Sequence, residues 1–144
     1  MGLVYFDSSA LVKLVVEELG TDLASELWDG CDAALSSRLA YPEVRAALAA
    51  AHRNSDLTTG ELSAAEAAWE EFWASVRPVE LTSSVELRAG ELAARQGLRG
   101  ADAVHLASAL AVGTTDLVVA VWDRRLHAGA VAERLAVAPR TLDA

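Results

Sequence analysis

Four acidic residues stand where a folded chain gathers side chains: Asp7, Glu43, Asp102 and Asp123. Asp7 closes the apolar run Leu3-Val4-Tyr5-Phe6, and Asp123 closes Leu117-Val118-Val119-Ala120-Val121-Trp122. Glu43 and Asp102 open long segments rich in Ala and Leu. Carboxylates brought together repel one another, and buried ones lose hydration, so a cation is their natural partner. Hard oxygen donors without His or Cys point to Mg²⁺ or Mn²⁺. The first expectation is a magnesium-dependent enzyme acting on phosphate esters.

Positioning these acids requires strands and helices in alternation. The pattern predicts strands over Leu3–Phe6, Ala33–Ser36, Arg77–Leu81, Leu117–Trp122 and Leu135–Ala138. It predicts helices over Ser9–Glu18, Thr21–Asp29, Leu39–His52, Thr59–Ser75, Ser83–Gln96, Ala101–Val112 and Leu126–Glu133. Ser8 or Ser9 is the expected N-cap of the first helix. Pro42 is tolerable only in a first helical turn. Strands separated by helices imply a mainly parallel sheet covered on both faces. In such sheets the site lies beyond the carboxyl ends of the strands, where Asp7 and Asp123 fall.

The 144 residues read as a single domain, 53% hydrophobic and 23% charged, which suits a folded protein with a sizeable core. A formal net charge of −9 argues against loose binding to polyanions, though an Arg stripe or a bound metal reverses the sign of one face. Lys13 is the single lysine beside eleven arginines. Cys31 stands alone, so no intrachain disulfide forms. No apolar run approaches the roughly 20 residues of a membrane span. The N-terminus lacks a basic leader region, so the cytoplasm is the expected location.

The opening segment Val4-Tyr5-Phe6-Asp7-Ser8-Ser9-Ala10-Leu11-Val12-Lys13-Leu14 resembles the first motif of PIN-domain ribonucleases, closest to VapC-type toxins of bacterial toxin–antitoxin pairs. Ser36-Ser37-Arg38-Leu39-Ala40-Tyr41-Pro42-Glu43-Val44 resembles their second motif, which carries a glutamate. Leu98-Arg99-Gly100-Ala101-Asp102-Ala103-Val104-His105-Leu106-Ala107-Ser108-Ala109 resembles the third, and Trp122-Asp123-Arg124-Arg125-Leu126 the fourth. Each motif is short; the ordered set spans nearly the whole chain.

The resemblance implies an α/β fold, a PIN-like three-layer sandwich with a central mainly parallel sheet of about five strands flanked by helices. It implies a Mg²⁺- or Mn²⁺-dependent endoribonuclease over a single domain, residues 1–144. Asp7 and Asp102 match the principal metal ligands, Glu43 a direct or water-mediated ligand, and Asp123 a further ligand or supporting acid. Ser8 is expected to orient a ligand or water. Arg38, Arg99, Arg124 and Arg125 lie within a few residues of the motif acids and are the candidates for holding the RNA backbone. The implied partners are a VapB-like antitoxin, a second copy in a homodimer, an RNA substrate, and DNA only through the antitoxin. One departure stands out: the family has Ser or Thr two residues before its fourth-motif acid, and this chain has Val121.

Plainer readings exist for each feature. Asp7 and Asp102 serve as helix caps or complement a helix dipole, as does Glu43, and Asp123 starts a turn. Their joint occurrence in the motif order favours the metal site. His105, three residues after Asp102, reads more readily as a hydrogen-bonded structural histidine than as a ligand. Trp69, Phe72 and Trp73 read as a stripe split between core and partner contact. The competing function is a metal-binding interaction module of the same fold with little or no nuclease activity, and a DNA-directed nuclease stays open. A receiver domain lacks its late lysine, a dehalogenase-like phosphatase lacks its second Asp at Ser9, and no phosphate loop or Ser-hydrolase elbow occurs.

Overall fold

The computed structural model describes residues 2–113 and 115–142. Its elements in chain order are β1 (Leu3–Phe6), α1 (Ser8–Val15), α2 (Thr21–Gly30), β2 (Ala33–Ser37), α3 (Ala40–Arg53), α4 (Thr59–Ala74), β3 (Val76–Val79), α5 (Ser83–Gln96), α6 (Gly100–Val112), β4 (Leu117–Ala120), α7 (Arg124–Ala132) and β5 (Ala136–Ala138).

The strands form one sheet in the order β3-β2-β1-β4-β5. Every pairing is parallel, with Tyr5 opposite Leu35 on one side and Val119 on the other. Pro78 lacks an N–H for a ladder and sits in β3, an edge strand, where that loss is tolerated. The strand order reverses direction at β1 and β4, so the crevice between their carboxyl ends is the topological switch point.

Alternation along β1 separates two cores. Tyr5 joins Val119, Val121, Leu92, Leu106 and Leu126 under α5, α6 and α7. Val4 and Phe6 join Leu11, Val44, Leu48 and Trp69 under α1, α3 and α4. This is the three-layer arrangement, with helices on both faces. α3 leaves β2, whereas α6 runs back to enter β4, so both helices begin at the carboxyl edge of the sheet.

Several boundaries differ from the expectation for local reasons. The first helix stops at Val15 rather than Glu18 because the Thr21 hydroxyl donates to the carbonyls of Lys13 at 2.9 Å and Val16 at 3.2 Å. That hydroxyl also accepts from the Glu18 N–H at 3.0 Å, which turns the chain into α2. The first helix is capped by Asp7, not Ser8 or Ser9. The fourth strand ends at Ala120, although Val121 N–H still donates to Ala138 at 3.0 Å. The last helix begins at Arg124 because Asp123 caps it. Trp69 is wholly buried, so it belongs to the core rather than to a partner surface; Phe72 and Trp73 are half-buried beside it. No helix among the described residues is long and apolar enough to cross a membrane.

Candidate active site

Asp7 follows β1 directly, and its N–H donates to Ala120 at 3.3 Å, tying the ends of β1 and β4 together. Its Oδ1 accepts from Ala10 N–H at 2.9 Å, and the Ser9 hydroxyl lies 2.8 Å and 2.9 Å from its two oxygens. The residue is only 4% exposed. Burial pushes its carboxyl pKa above the ordinary value; the His105 ring and these hydrogen bonds oppose the shift, and the Asp123 charge adds to it.

Asp102 lies in the first turn of α6. Its Oδ2 is buried without a hydrogen-bond partner; the Arg99 Nε at 3.5 Å gives an ion pair only. Burial raises its pKa, the Asp123 charge raises it further, and Arg99 pulls it back. Asp123 spends Oδ1 on capping α7 through Leu126 N–H at 2.9 Å, while its Oδ2 faces Arg99 Nη2 at 3.8 Å. The Asp123 charge therefore acts on both Asp7 and Asp102.

Glu43 enters from the first turn of α3. Its Oε1 accepts from the Ser8 hydroxyl and lies 2.7 Å from His105 Nε2, which is itself 3.1 Å from Ser8 Oγ. Burial works to raise its pKa, but the bonds to His105 and Ser8 outweigh it, and the net shift is downward. Glu43 is thus held as a carboxylate. Behind it, the Tyr5 hydroxyl lies 2.7 Å from His105 Nδ1. Burial keeps the Tyr5 phenol protonated, far above its ordinary range.

Among the described residues, no three His, Cys, Asp and Glu side chains stand close enough together to hold a metal ion as placed. Asp7 and Asp123 each spend one oxygen on a helix N-terminus, and Arg99 pairs with both Asp102 and Asp123. The donors themselves fit a hard cation. All are carboxylate oxygens, one of them is buried and orphaned, and two carboxyls are raised by burial and a neighbouring like charge.

Of the candidate arginines, Arg99 faces the acids, and Arg124 and Arg125 lie exposed in the first turn of α7. Arg38 follows β2 at the same edge but pairs with Glu80 across the exposed surface, Nε to Oε1 at 3.2 Å. A groove of about 430 Å³ is lined by Trp122 and Arg124, the chain neighbours of Asp123, together with Gly20, Pro139 and Thr141. Val121 is fully buried in the apolar cluster beneath α6 and α7.

Comparison with known proteins fits this geometry. The PIN domain model matches residues 4–136. The chain is 71% identical over 143 residues to Ribonuclease VapC45 of Mycobacterium tuberculosis, covering 99% of each chain. The chain belongs to the VapC-type PIN-domain family. The fold of this VapC-type domain also resembles PAE2754 from Pyrobaculum aerophilum, with a TM-score of 0.67, 24% identity and coverage of 94% of this chain and 83% of the other. A toxin–antitoxin complex from Klebsiella pneumoniae matches with a TM-score of 0.65 and 17% identity over 97% and 99% of the two chains.

Sequence reasoning placed Asp7 and Asp123 of this VapC-type domain beyond the carboxyl ends of strands, and Glu43 and Asp102 at the starts of helices. His105 is the buried, hydrogen-bonded histidine that the sequence suggested, but its partners were not foreseen and Tyr5 was given no role. The spacing of Asp102 and His105 signalled a shared helix face, but nothing local pointed to Glu43 or Tyr5.

Proposed function

We propose that this chain is a Mg²⁺- or Mn²⁺-dependent endoribonuclease, the toxin of a type II toxin–antitoxin pair, acting in the cytoplasm. The observation that carries this reading is the buried Asp102 Oδ2 without a hydrogen-bond partner, near enough to Asp123 for that charge to raise its pKa, as it raises that of Asp7. The near-full-length identity to a ribonuclease supports the substrate class.

Asp7, Asp102 and Asp123 would hold the cation, with Glu43 at its margin. When bound, the cation supplies Lewis acidity and a more acidic water. Glu43, ionised and held through Oε1 by Ser8 and His105, would orient the attacking water or accept a proton from it. Arg99, Arg124 and Arg125 hold the phosphates on either side of the scissile bond, and Arg38 extends the track when it releases Glu80. The groove beside Trp122 takes a flanking nucleotide. A VapB-like antitoxin neutralises the site with basic side chains facing the acids, and DNA is reached only through that antitoxin. The functional unit is a homodimer.

A second reading, a metal-binding interaction module with little nuclease activity, draws on Val121, which puts core where the family has a hydroxyl. Cleavage of total RNA by partner-free protein, with Mg²⁺ and with EDTA, separates the two. Chelator-sensitive cleavage that is lost in Asp7→Asn supports the enzyme; no cleavage of any RNA by the wild type supports the module.

A further inference from the structure

One chain of hydrogen bonds runs from the sheet interior to Glu43. Ser37 N–H, at the end of β2, donates to the Tyr5 hydroxyl at 3.0 Å. The Tyr5 hydroxyl lies 2.7 Å from His105 Nδ1, and His105 Nε2 lies 2.7 Å from Glu43 Oε1. A phenol has one proton. The Glu43 carboxylate only accepts, so Nε2 carries a hydrogen and donates to it; in the neutral ring Nδ1 is then bare and accepts the phenol's proton. Tyr5 and His105 are both buried and meet edge-on, with ring centroids 5.9 Å apart, so neither ring is free to turn.

We propose that His105, backed by Tyr5, is a positioning residue that fixes the Glu43 carboxylate toward the cation held by Asp7 and Asp102. The inference rests on the metal-dependent reading above. Glutamate has a long side chain, and an unanchored one loses conformational freedom on meeting a metal. Here Ser8 and His105 both engage Oε1, from α1 and α6, before any cation arrives. Groups that orient ligands in this way change metal affinity by about 10–100-fold when removed. His105 acts through Glu43 and does not itself touch the substrate. The two are joined by a direct hydrogen bond although 62 residues separate them in the chain.

The test is Mn²⁺ titration calorimetry on the purified full chain, paired with thermal melting and steady-state cleavage of an RNA substrate. His105→Leu keeps an apolar side chain in the core and removes both ring nitrogens. It is expected to weaken Mn²⁺ binding by about 10-fold and to lower kcat while leaving KM for RNA in place. His105→Gln, whose amide donates to Glu43 and accepts from Tyr5, recovers most of both losses. Glu43→Gln loses as much as His105→Leu, and the double variant loses no more than Glu43→Gln alone, because one residue acts through the other. A His105→Leu protein that binds Mn²⁺ and turns over like the wild type overturns the proposal. So does additivity in the double variant. Where His105→Leu does not fold, Tyr5→Phe carries the same test: unchanged Mn²⁺ affinity and kcat overturn it, and a reduced affinity at an unchanged melting temperature supports it. A wild-type chain that binds no Mn²⁺ overturns the metal reading itself, and this proposal with it.

Discussion

The guanidinium of Arg99 stands 3.5 Å from the Asp102 carboxylate, and its far nitrogen reaches to 3.8 Å from Asp123. A side chain of this protein thus supplies positive charge between two acids proposed to bind a cation. Neither distance is that of a hydrogen bond, and the Arg99 side chain is 74% exposed, so the pairing is weak enough to yield.

Arg99→Ala should therefore have opposite effects on the two ligands. Mn²⁺ binds about 2–5-fold more tightly, because a competing charge has gone. RNA binds more weakly, and the slope of its affinity against salt falls by about one phosphate contact. Calorimetry for the metal and fluorescence anisotropy for RNA read the two separately. A variant whose RNA affinity and salt slope match the wild type would remove Arg99 from the RNA track.

Asp7 predicts a trade of stability against activity. Its folded-state pKa is raised, chiefly by burial. The folded chain therefore binds the proton to higher pH than the unfolded one, and metal-free stability falls as pH rises from the ordinary aspartate value through the folded one. Asn keeps the cap on α1 and carries no charge. Asp7→Asn should stabilise the metal-free protein at neutral pH by about 1 kcal/mol, about 2–4 °C in melting temperature, while abolishing cleavage. Urea unfolding across pH checks the sign: the advantage of the variant vanishes toward acid. A variant less stable than the wild type at neutral pH contradicts the assigned cause.

Metal stabilisation should carry the reverse pH dependence. A cation needs Asp7 and Asp102 ionised, and both carboxyls are raised. The rise in melting temperature given by Mn²⁺ therefore grows with pH through the window above the ordinary aspartate value and is lost as pH falls through it. Glu43 adds to the metal-free protein a contribution of the same sense, since its pKa is lowered: its stability is present above the ordinary glutamate value and lost as pH falls through the folded one. A Mn²⁺ shift that is flat across this range, read by differential scanning fluorimetry, would argue against binding through the aspartates.

Gly20 places a steric constraint beside the site. It has φ +93°, and a Cβ there would lie 2.8 Å from Trp122 Nε1 and 3.1 Å from the Lys13 side chain. Lys13 lies over the Trp122 ring, 5.1 Å from its centroid, and pairs with Glu18 at 3.0 Å. Gly20→Ala should cost about 1–3 kcal/mol and reduce activity, because Trp122 adjoins Asp123. A melting temperature equal to that of the wild type would show that this contact is slack.

Much of this was legible in the sequence because it is local. Apolar runs ending in Asp7 and Asp123 placed both acids at strand ends, and parallel topology turned two separate ends into one crevice. Boundaries slipped where side chains intervened: Thr21 ended α1, and Asp123 started α7 two residues early. Leu117–Trp122 read as one strand because apolarity continues past the ladder; Val121 is core but pairs outside the regular strand. The His105 network was not legible, since its partners Tyr5 and Glu43 are 100 and 62 residues away. Arg38 was named from its closeness in sequence to Glu43, but Glu80, 42 residues on, holds it.

The central claim is tested most directly by incubating purified, antitoxin-free wild type and Asp102→Asn with total RNA, with Mg²⁺, with Mn²⁺ and with EDTA. The account predicts discrete cleavage by the wild type with either cation, none with EDTA, and none by Asp102→Asn at an unchanged or higher melting temperature. Cleavage that persists in EDTA, or in Asp102→Asn, would contradict it.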